Sequence, residues 1–284
     1  MSKNVAIVGA SGNIGSYLSK FLEKEGYLLY RFGKQCSFGR VPIALADPSL
    51  LDFFLFNKLQ VIIHLGALNN IDRCEQHHCQ SLEMNYMLTR RLVAICELLK
   101  IKMIFLSSDY VLAGCKLNAD EFSSPRPMTI YARDKARSEA LIQSSLNSYA
   151  IIRTSQVFGV DGDFVQLVLT AARKQREFQA WSNLANCPTY INDLCNLILQ
   201  VLENELSGVF HCSGGDVLSR YEFAKLIAQV FDLKELTIHP VSLANDNVRP
   251  RHVVLSCEDT LLRTGISLTK TNDALTAIRD GSIL

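Results

Sequence analysis

The feature that most constrains the fold is a glycine loop near the N-terminus, Gly9-Ala-Ser-Gly12-Asn-Ile-Gly15. It follows a short apolar run, Asn4 to Val8, that predicts a buried strand, and it opens a segment of helical periodicity, Asn13 to Lys24. Glycine at these positions allows a tight turn, close approach of a ligand to the backbone, and close helix–strand packing. Free N–H groups at the helix start would then face an anion such as a pyrophosphate. The loop therefore predicts a dinucleotide-binding unit, with a glycine turn that binds nothing as the alternative.

Strand-like and helical runs alternate through the first half of the chain. Further strands are predicted at 27–32, 60–65, 102–106 and 149–153, with helices up to about residue 100 and over 132–146. Such alternation is typical of right-handed βαβ units and a parallel sheet covered by helices on both faces. We predict an α/β fold, a Rossmann-type doubly wound parallel sheet with a smaller C-terminal α/β substrate-binding domain.

The pattern changes near residue 158, where helices come to dominate. We expect a Rossmann domain over 1–158 and a mainly substrate-binding domain over 159–284, with some elements returning to the sheet. The length of 284 residues agrees with about two domains. The segments at 164–173 and 221–231 read as helices, and 208–211 reads as a short strand.

Charge and hydropathy limit the classes of partner. The chain has 29 basic and 28 acidic residues, so it has no general field for nucleic acid or an anionic membrane. No apolar run reaches the roughly 18–20 residues of a membrane-spanning helix, and the N-terminal run is too short for a signal peptide. Nine cysteines, without a CxxC pair, are expected to be reduced thiols, so we expect a cytoplasmic protein.

The end of the second predicted strand bears on the choice between NADPH and NADH. An acidic residue at this point favours NAD, whereas an arginine accommodates the 2′-phosphate of NADP. The chain has Arg31 and, three residues on, Lys34, with no acidic residue between them. This favours NADPH, with NADH left open; a solvated surface role for Arg31 is the alternative.

Tyr131 and Lys135 form a Tyr-x-x-x-Lys pair at the start of a predicted helix. The spacing places both side chains on one face of that helix. A lysine ammonium beside a tyrosine favours the phenolate and so eases proton transfer. Ser108, at the end of the strand at 102–106, can hold a substrate carbonyl or alcohol nearby, because such sheets bind ligands at the carboxyl ends of their strands.

With these residues the chain resembles the extended short-chain dehydrogenase/reductases, and more narrowly the dTDP-4-dehydrorhamnose reductase family. The similar segments run in family order over nearly the whole chain: His64–Asp72, Ser107–Gly114, Ile152–Gly159, Pro188–Asp193 and Arg249-Pro250. The resemblance implies an NADPH-preferring reductase of a nucleotide-linked 4-keto-6-deoxy sugar, with a role in polysaccharide biosynthesis. It implies a nucleotide-sugar partner and leaves a homodimer open.

The resemblance also implies a role for each site residue. Tyr131 would donate a proton to the C4 carbonyl oxygen, Lys135 would lower its pKa and bond the nicotinamide ribose, and Ser108 would orient the carbonyl. Asp109 and Gln156 join Ser108 as expected substrate contacts. The residues expected to bind the cofactor are Gly9, Gly12, Asn13, Ile14, Arg31, Gly66, Ala67, Leu68, Leu106, Tyr131 and Lys135.

Two positions depart from the family pattern. Gln156 stands where the reductases have a tryptophan that packs on the substrate, so the sugar or its nucleotide can differ. Ala44 stands where an aspartate near the adenine is common, which loosens the cofactor assignment. A dehydratase would need a second carboxylate after Asp109, but Tyr110 stands there.

Other functions stay open at this point. One is a nucleotide-sugar epimerase on the same scaffold. Another is a non-catalytic NADP-binding regulatory subunit, because the chain also resembles the regulatory subunit of methionine adenosyltransferase.

Three further features have less specific interpretations. Cys74, His77, His78 and Cys79 suggest a metal site, but no second ligand pair completes one, and no metal is predicted. Arg249 and Arg251, with His239 nearby, can hold a diphosphate or form a solvated basic loop. Asn85 is either a buried structural amide or, by the resemblance, a support for the active-site backbone.

Overall fold

A computed structural model describes residues 3–33, 49–115, 118–174, 176–244 and 248–281. The strands are, in chain order, β1 (Asn4–Val8), β2 (Leu28–Phe32), β3 (Val61–His64), β4 (Lys102–Ser108), β5 (Tyr149–Thr154), β6 (Val157–Phe158), β7 (Glu177–Trp181), β8 (Ala185–Asn186), β9 (Thr189–Tyr190), β10 (Gly208–Cys212), β11 (Leu218–Ser219) and β12 (Thr237–Val241).

The α-helices are α1 (Asn13–Lys24), α2 (Leu50–Phe56), α3 (Ile71–Gln76), α4 (His78–Leu82), α5 (Leu88–Leu99), α6 (Ile130–Ser145), α7 (Phe164–Lys174), α8 (Ile191–Glu203), α9 (Arg220–Val230), α10 (Glu258–Thr264) and α11 (Thr271–Arg279). A π-helix (Glu83–Met87) joins α4 to α5, and a 3₁₀ turn (Asp109–Leu112) follows β4. None of the helices in the described part of the chain is long and apolar enough to span a bilayer.

Six parallel strands form the central sheet, in the order β10-β5-β4-β3-β1-β2. Side chains alternate between its two faces. In β1, Val5 and Ile7 belong to a core shared with α8, whereas Ala6 and Val8 belong to a core shared with α5. The predicted α/β fold with a doubly wound parallel sheet is therefore confirmed.

The second half of the chain contributes both to the sheet and to a separate set of short strand pairs. β10 pairs in parallel with β5 at one edge of the sheet. The pairs β6-β9, β7-β12 and β8-β11 lie outside it. The division at residue 158 stays a prediction.

Candidate active site

The glycine loop makes the close contacts that its sequence predicts. Gly9 has φ +90°, and a Cβ there would lie 2.7 Å from the backbone nitrogen of Gly66 on the next strand-end loop. A Cβ on Gly15 would lie 2.2 Å from the carbonyl oxygen of Gly9. Gly12 is the N-cap of α1 and makes no side-chain capping bond. The first-turn N–H groups of α1 therefore have no side-chain cap, as an anion-binding helix start requires.

A cleft of about 530 Å³ opens at the carboxyl ends of β3, β4 and β5. At one end, which we call the glycine-loop end, its wall is formed by Asn13, Ile14, Ala67 and Leu106. At the other, which we call the arginine end, it is formed by Gln156, Trp181, Arg220 and Arg249. Ser108, Asp109, Tyr131 and Lys135 line the same cleft. This is the position at which open α/β sheets bind their ligands.

Tyr131 and Lys135 meet in the cleft because both lie on one face of α6. The helix begins at Ile130, earlier than the predicted residue 132, because Thr129 caps it: the backbone N–H of Ala132 donates to Thr129 Oγ1 at 3.1 Å. Lys135 Nζ donates to the carbonyl oxygen of Leu106 at 2.9 Å and lies 4.4 Å from the ring centre of Phe105. The Ser108 side chain lies close enough to the Tyr131 hydroxyl to act on its pKa.

Burial determines the protonation of this pair. It raises the pKa of Tyr131, and the negative charge of Asp109 raises it further, while the neighbouring Ser108 side chain lowers it. Burial also lowers the pKa of Lys135 to about 7, against the opposing effect of Glu139. Desolvation of the phenolate therefore dominates the pKa of Tyr131, and the expected lowering of that pKa by Lys135 stays a prediction.

Asp109 is a buried carboxylate at the centre of a hydroxyl network. Ser155 Oγ donates to one of its oxygens at 2.8 Å and Ser108 Oγ to the other at 2.9 Å. Burial raises the pKa of Asp109 to about 6, partly offset by these bonds. The network orients the Ser108 hydroxyl beside Tyr131. Gln156 lines the cleft, and both polar atoms of its amide are buried without a hydrogen-bond partner.

Two residues at the arginine end were not predicted from the sequence. Arg220 starts α9, lies 5.0 Å from the ring centre of Phe164, and has no ion pair within the described residues. Burial and the charge of Arg249 both lower its pKa, to about 10 in all. Trp181, at the end of β7, lies 5.5 Å from the Arg249 guanidinium. No local motif marks either residue, because long-range packing brings them to the cleft.

The basic residues noted in the sequence, Arg249, Arg251 and His239, differ in their position and in their hydrogen-bond partners. Arg249 lines the cleft and bonds both carboxylate oxygens of Asp72, at 2.5 and 2.6 Å. Arg251 instead donates to the carbonyl oxygens of Leu243 and Ala244, so it secures its own loop. His239 is exposed on β12.

Five of the expected cofactor contacts do not line this cleft. Arg31 forms an ion pair with Glu23 of α1. Gly9 and Gly66 pack against each other, and Gly12 lines a neighbouring cavity. The side chain of Leu68 packs in an apolar cluster with Ile71 and Tyr131. Their roles as cofactor contacts stay predictions. Lys34 and Ala44 lie outside the described residues.

Of the four cysteine and histidine residues that suggested a metal site, Cys74 is buried and the other three are exposed. Cys74 is buried and its thiol donates to the carbonyl oxygen of Leu68 at 3.2 Å, while Cys79 is exposed. In the ranges that the structure describes, no group of three or more His, Cys, Asp or Glu side chains can hold a metal ion.

Asn85 is buried in the π-helix and supports the loop that lines the glycine-loop end. Its Oδ1 accepts from the backbone N–H of Leu68 at 2.9 Å, and its Nδ2 donates to the Leu68 carbonyl at 3.1 Å. The two interpretations of Asn85 thus coincide, since a buried amide supports this loop.

The parallel sheet, the glycine loop and the Ser108–Tyr131–Lys135 group define the fold of a short-chain dehydrogenase/reductase. The family model described as RmlD substrate binding domain matches residues 3–282, and the chain belongs to this family. Its fold is similar to that of a dTDP-4-dehydrorhamnose reductase from Bacillus anthracis solved in complex with NADP. That likeness has a TM-score of 0.90 and 25% identity, and it covers 99% of this chain and 100% of the other.

Two similar curated proteins have different names. Spore coat polysaccharide biosynthesis protein SpsK of Bacillus subtilis is 27% identical over 257 residues, which is 89% of this chain and 88% of the relative. Methionine adenosyltransferase 2 subunit beta of Xenopus laevis is 25% identical over 267 residues, which is 88% of this chain and 78% of the relative. The proteins to which this chain is similar therefore include one named as a reductase and one named as a subunit of another enzyme.

Proposed function

We propose that the protein is an NADPH-preferring reductase of a nucleotide-linked 4-keto-6-deoxy sugar. The observation that carries the proposal is the cleft itself, which Ser108, Tyr131 and Lys135 line together, with the Ser108 side chain close enough to act on the Tyr131 hydroxyl. A binding protein has no need of a buried phenol, hydroxyl and amine converging at one point. The same cleft extends to the uncapped start of α1, where a dinucleotide pyrophosphate fits.

The residues of the cleft have distinct tasks in such a reduction. The nicotinamide group supplies the hydride when it is bound. Tyr131 keeps its proton at neutral pH because burial raises its pKa, so it can give that proton to the carbonyl oxygen that the hydride turns into an alcohol. Ser108, whose hydroxyl proton goes to Asp109 in this structure, turns that proton to the substrate when it binds and so orients the carbonyl oxygen. Lys135 holds a proton at Nζ close to neutral pH, ready to restore the one that Tyr131 gives up.

The arginine end supports a substrate that carries phosphate. Burial disfavours the charge of Arg220, which has no ion pair within the described residues, whereas Arg249 is already paired with Asp72. An anion beside Arg220 would offset this cost and can accept bidentate hydrogen bonds from its guanidinium group. The nucleotide diphosphate of the proposed substrate has that chemistry.

The test is a turnover assay on the purified protein. With NADPH and a dTDP-4-keto-6-deoxyhexose, we expect loss of the reduced-nicotinamide absorbance and one alcohol product per NADPH consumed. NADH should be used less efficiently. No consumption with any nucleotide-linked 4-keto sugar would refute the proposal. An epimerase would instead carry tightly bound oxidised cofactor and consume none.

The similarity to methionine adenosyltransferase 2 subunit beta favours a second candidate, a non-catalytic NADP-binding subunit. This alternative predicts a stoichiometric partner enzyme in a pull-down and no reductase activity. Both results together would replace the reductase proposal.

A further inference from the structure

A chain of buried hydrogen bonds joins α6 to the loop at the glycine-loop end of the cleft. Ser81 Oγ donates to Asp134 Oδ2 at 2.7 Å, and Asn85 Nδ2 donates to Ser81 Oγ at 3.2 Å. The amide of Asn85 then bonds both backbone polar groups of Leu68. Asp134, Ser81 and Asn85 are each at most 1% exposed. A residue beside Lys135 is thereby linked to the opposite wall of the cleft.

The chemistry of the two ends fixes the direction of every bond in this chain. A carboxylate offers only acceptors, so Ser81 must use its single proton to donate to Asp134. The remaining lone pairs of Ser81 can only accept, so they select the NH₂ group of Asn85. The oxygen of that amide consequently faces the Leu68 N–H, and its nitrogen faces the Leu68 carbonyl. A flipped amide would oppose donor to donor and acceptor to acceptor at Leu68.

Leu68 lies in the middle of a loop that has no regular structure of its own. Residues on both sides of it, Ala67 and Asn69, line the cleft, whereas its own backbone is tied down by Asn85. Cys74 adds one more bond to the same carbonyl. The orientation of one amide therefore sets the position of this wall of the cleft.

We propose that Asp134 is a positioning residue: through Ser81 it fixes the amide orientation of Asn85 and so holds the Leu68 loop in the form that binds the nicotinamide cofactor. The inference rests on the proposed function only in taking this cleft as the cofactor site. Asp134 does not line the cleft. Besides Ser81, its side chain lies near the half-exposed Arg137, at 3.8 Å.

A second buried serine, which lies on α6, provides a matched control. Ser138 Oγ donates to the backbone carbonyl of Asn85 at 2.7 Å and is as fully buried as Ser81. Its hydrogen bond joins the same π-helix to α6, but Ser138 is not part of the hydrogen-bonded chain from Asp134 through Ser81 to the Asn85 amide. Thr89 also bonds that carbonyl, at 3.4 Å, so it keeps a partner when Ser138 is replaced.

The first experiment compares Ser81→Ala with Ser138→Ala in direct titration of the purified protein with NADPH, without sugar. Ser81→Ala leaves one N–H of the Asn85 amide and Oδ2 of Asp134 without their partner, so we expect NADPH affinity to fall about ten-fold or more. Ser138→Ala should keep the wild-type affinity within about two-fold, even where both variants lose thermal stability. Equal losses, or wild-type affinity in Ser81→Ala, would overturn the inference.

The second experiment moves the carboxylate to the other end of the chain. Asn85→Asp alone places two carboxylates around Ser81 and should weaken NADPH binding more than Ser81→Ala does. Adding Asp134→Asn restores the two bonds of Ser81 with their directions reversed, but it leaves the Leu68 carbonyl facing a carboxylate oxygen instead of a donor, so NADPH affinity should stay low. A double variant that regains the wild-type affinity would contradict the role of the Asn85 amide.

This pair also decides the matter if Ser81→Ala does not fold. Because every readout is cofactor binding, a failure of the proposed sugar reduction would leave these results unchanged.

Discussion

The two ends of the cleft differ in whether backbone or side chains form them. The glycine-loop end is made by backbone: Gly9 and Gly15 bring a strand, a turn and a helix together at distances that no side chain permits. The arginine end is made by side chains, from Gln156 to Arg249, that lie far apart in the sequence. A bound ligand would meet amide groups and a helix start at the first end, and charge and ring faces at the second.

Because one end depends on backbone packing and the other on side chains, the two ends differ in how freely their residues can change. A substitution at the glycine-loop end alters the packing of the sheet, so it affects folding and cofactor together. At the arginine end, a substitution can alter substrate choice and leave the fold intact. The three predictions that follow test this separation.

The largest effect is expected for Gly9→Ala. A Cβ at this left-handed position would lie 2.7 Å from the Gly66 nitrogen, so backbone strain and steric overlap add up. We expect a loss of about 4 kcal/mol in the free energy of unfolding, measured by denaturant titration. Gly26→Ala is the control, because Gly26 also has positive φ but an open surrounding, and it should lose only about 1 kcal/mol. Equal losses would show that the loop is not packed as described.

Lys135, between the two ends, should carry a cost in stability that depends on pH. Burial holds its folded-state pKa at about 7, against 10.5 for the free side chain. The unfolded chain thus binds more protons between these values, and the stability contribution of Lys135 rises across that window and is lowest below pH 7.

Lys135→Met should therefore stabilise the cofactor-free protein by about 3 kcal/mol near pH 6, after allowance for the lost bond to Leu106. At about pH 9 the gain should be less than half as large. Denaturant titrations at the two pH values measure it. A gain independent of pH would mean that Lys135 is not desolvated.

The smallest of the three effects is expected at the arginine end. Arg220→Met keeps much of the apolar stem that packs on Phe164 but removes the cation from the cleft. The KM for the nucleotide sugar should rise about 30-fold, equivalent to about 2 kcal/mol, with NADPH affinity unchanged.

Arg251→Met is the matched control, because Arg251 bonds only loop carbonyls. Its KM should stay near that of the wild type. A fall in NADPH affinity in Arg220→Met would show that the two ends are not separate.

The same contrast explains what the sequence could predict. The glycine loop and α1 lie at the predicted bounds because turn geometry, helix capping and apolar periodicity are local properties. Tyr131 and Lys135 share a face for the same reason. Arg220 and Trp181 could not be found in this way, because α9 and β7 reach the cleft only through packing of the second half of the chain.

Charge partners were equally hidden from sequence reasoning. Arg31 lies near the end of β2, where a phosphate ligand is expected, but its guanidinium forms an ion pair with Glu23 on α1. The upward shift in the pKa of Tyr131 follows from the depth of the cleft, which only the fold defines.

The central claim is that Tyr131 gives its proton to the substrate. The most direct test compares Tyr131→Phe with Tyr110→Phe, a half-buried tyrosine that lines the same cleft, in NADPH oxidation with a nucleotide-linked 4-keto sugar. We predict that Tyr131→Phe lowers kcat at least about 100-fold while NADPH binding is retained, and that Tyr110→Phe keeps most of the activity. Turnover in Tyr131→Phe close to that of the wild type would contradict the account.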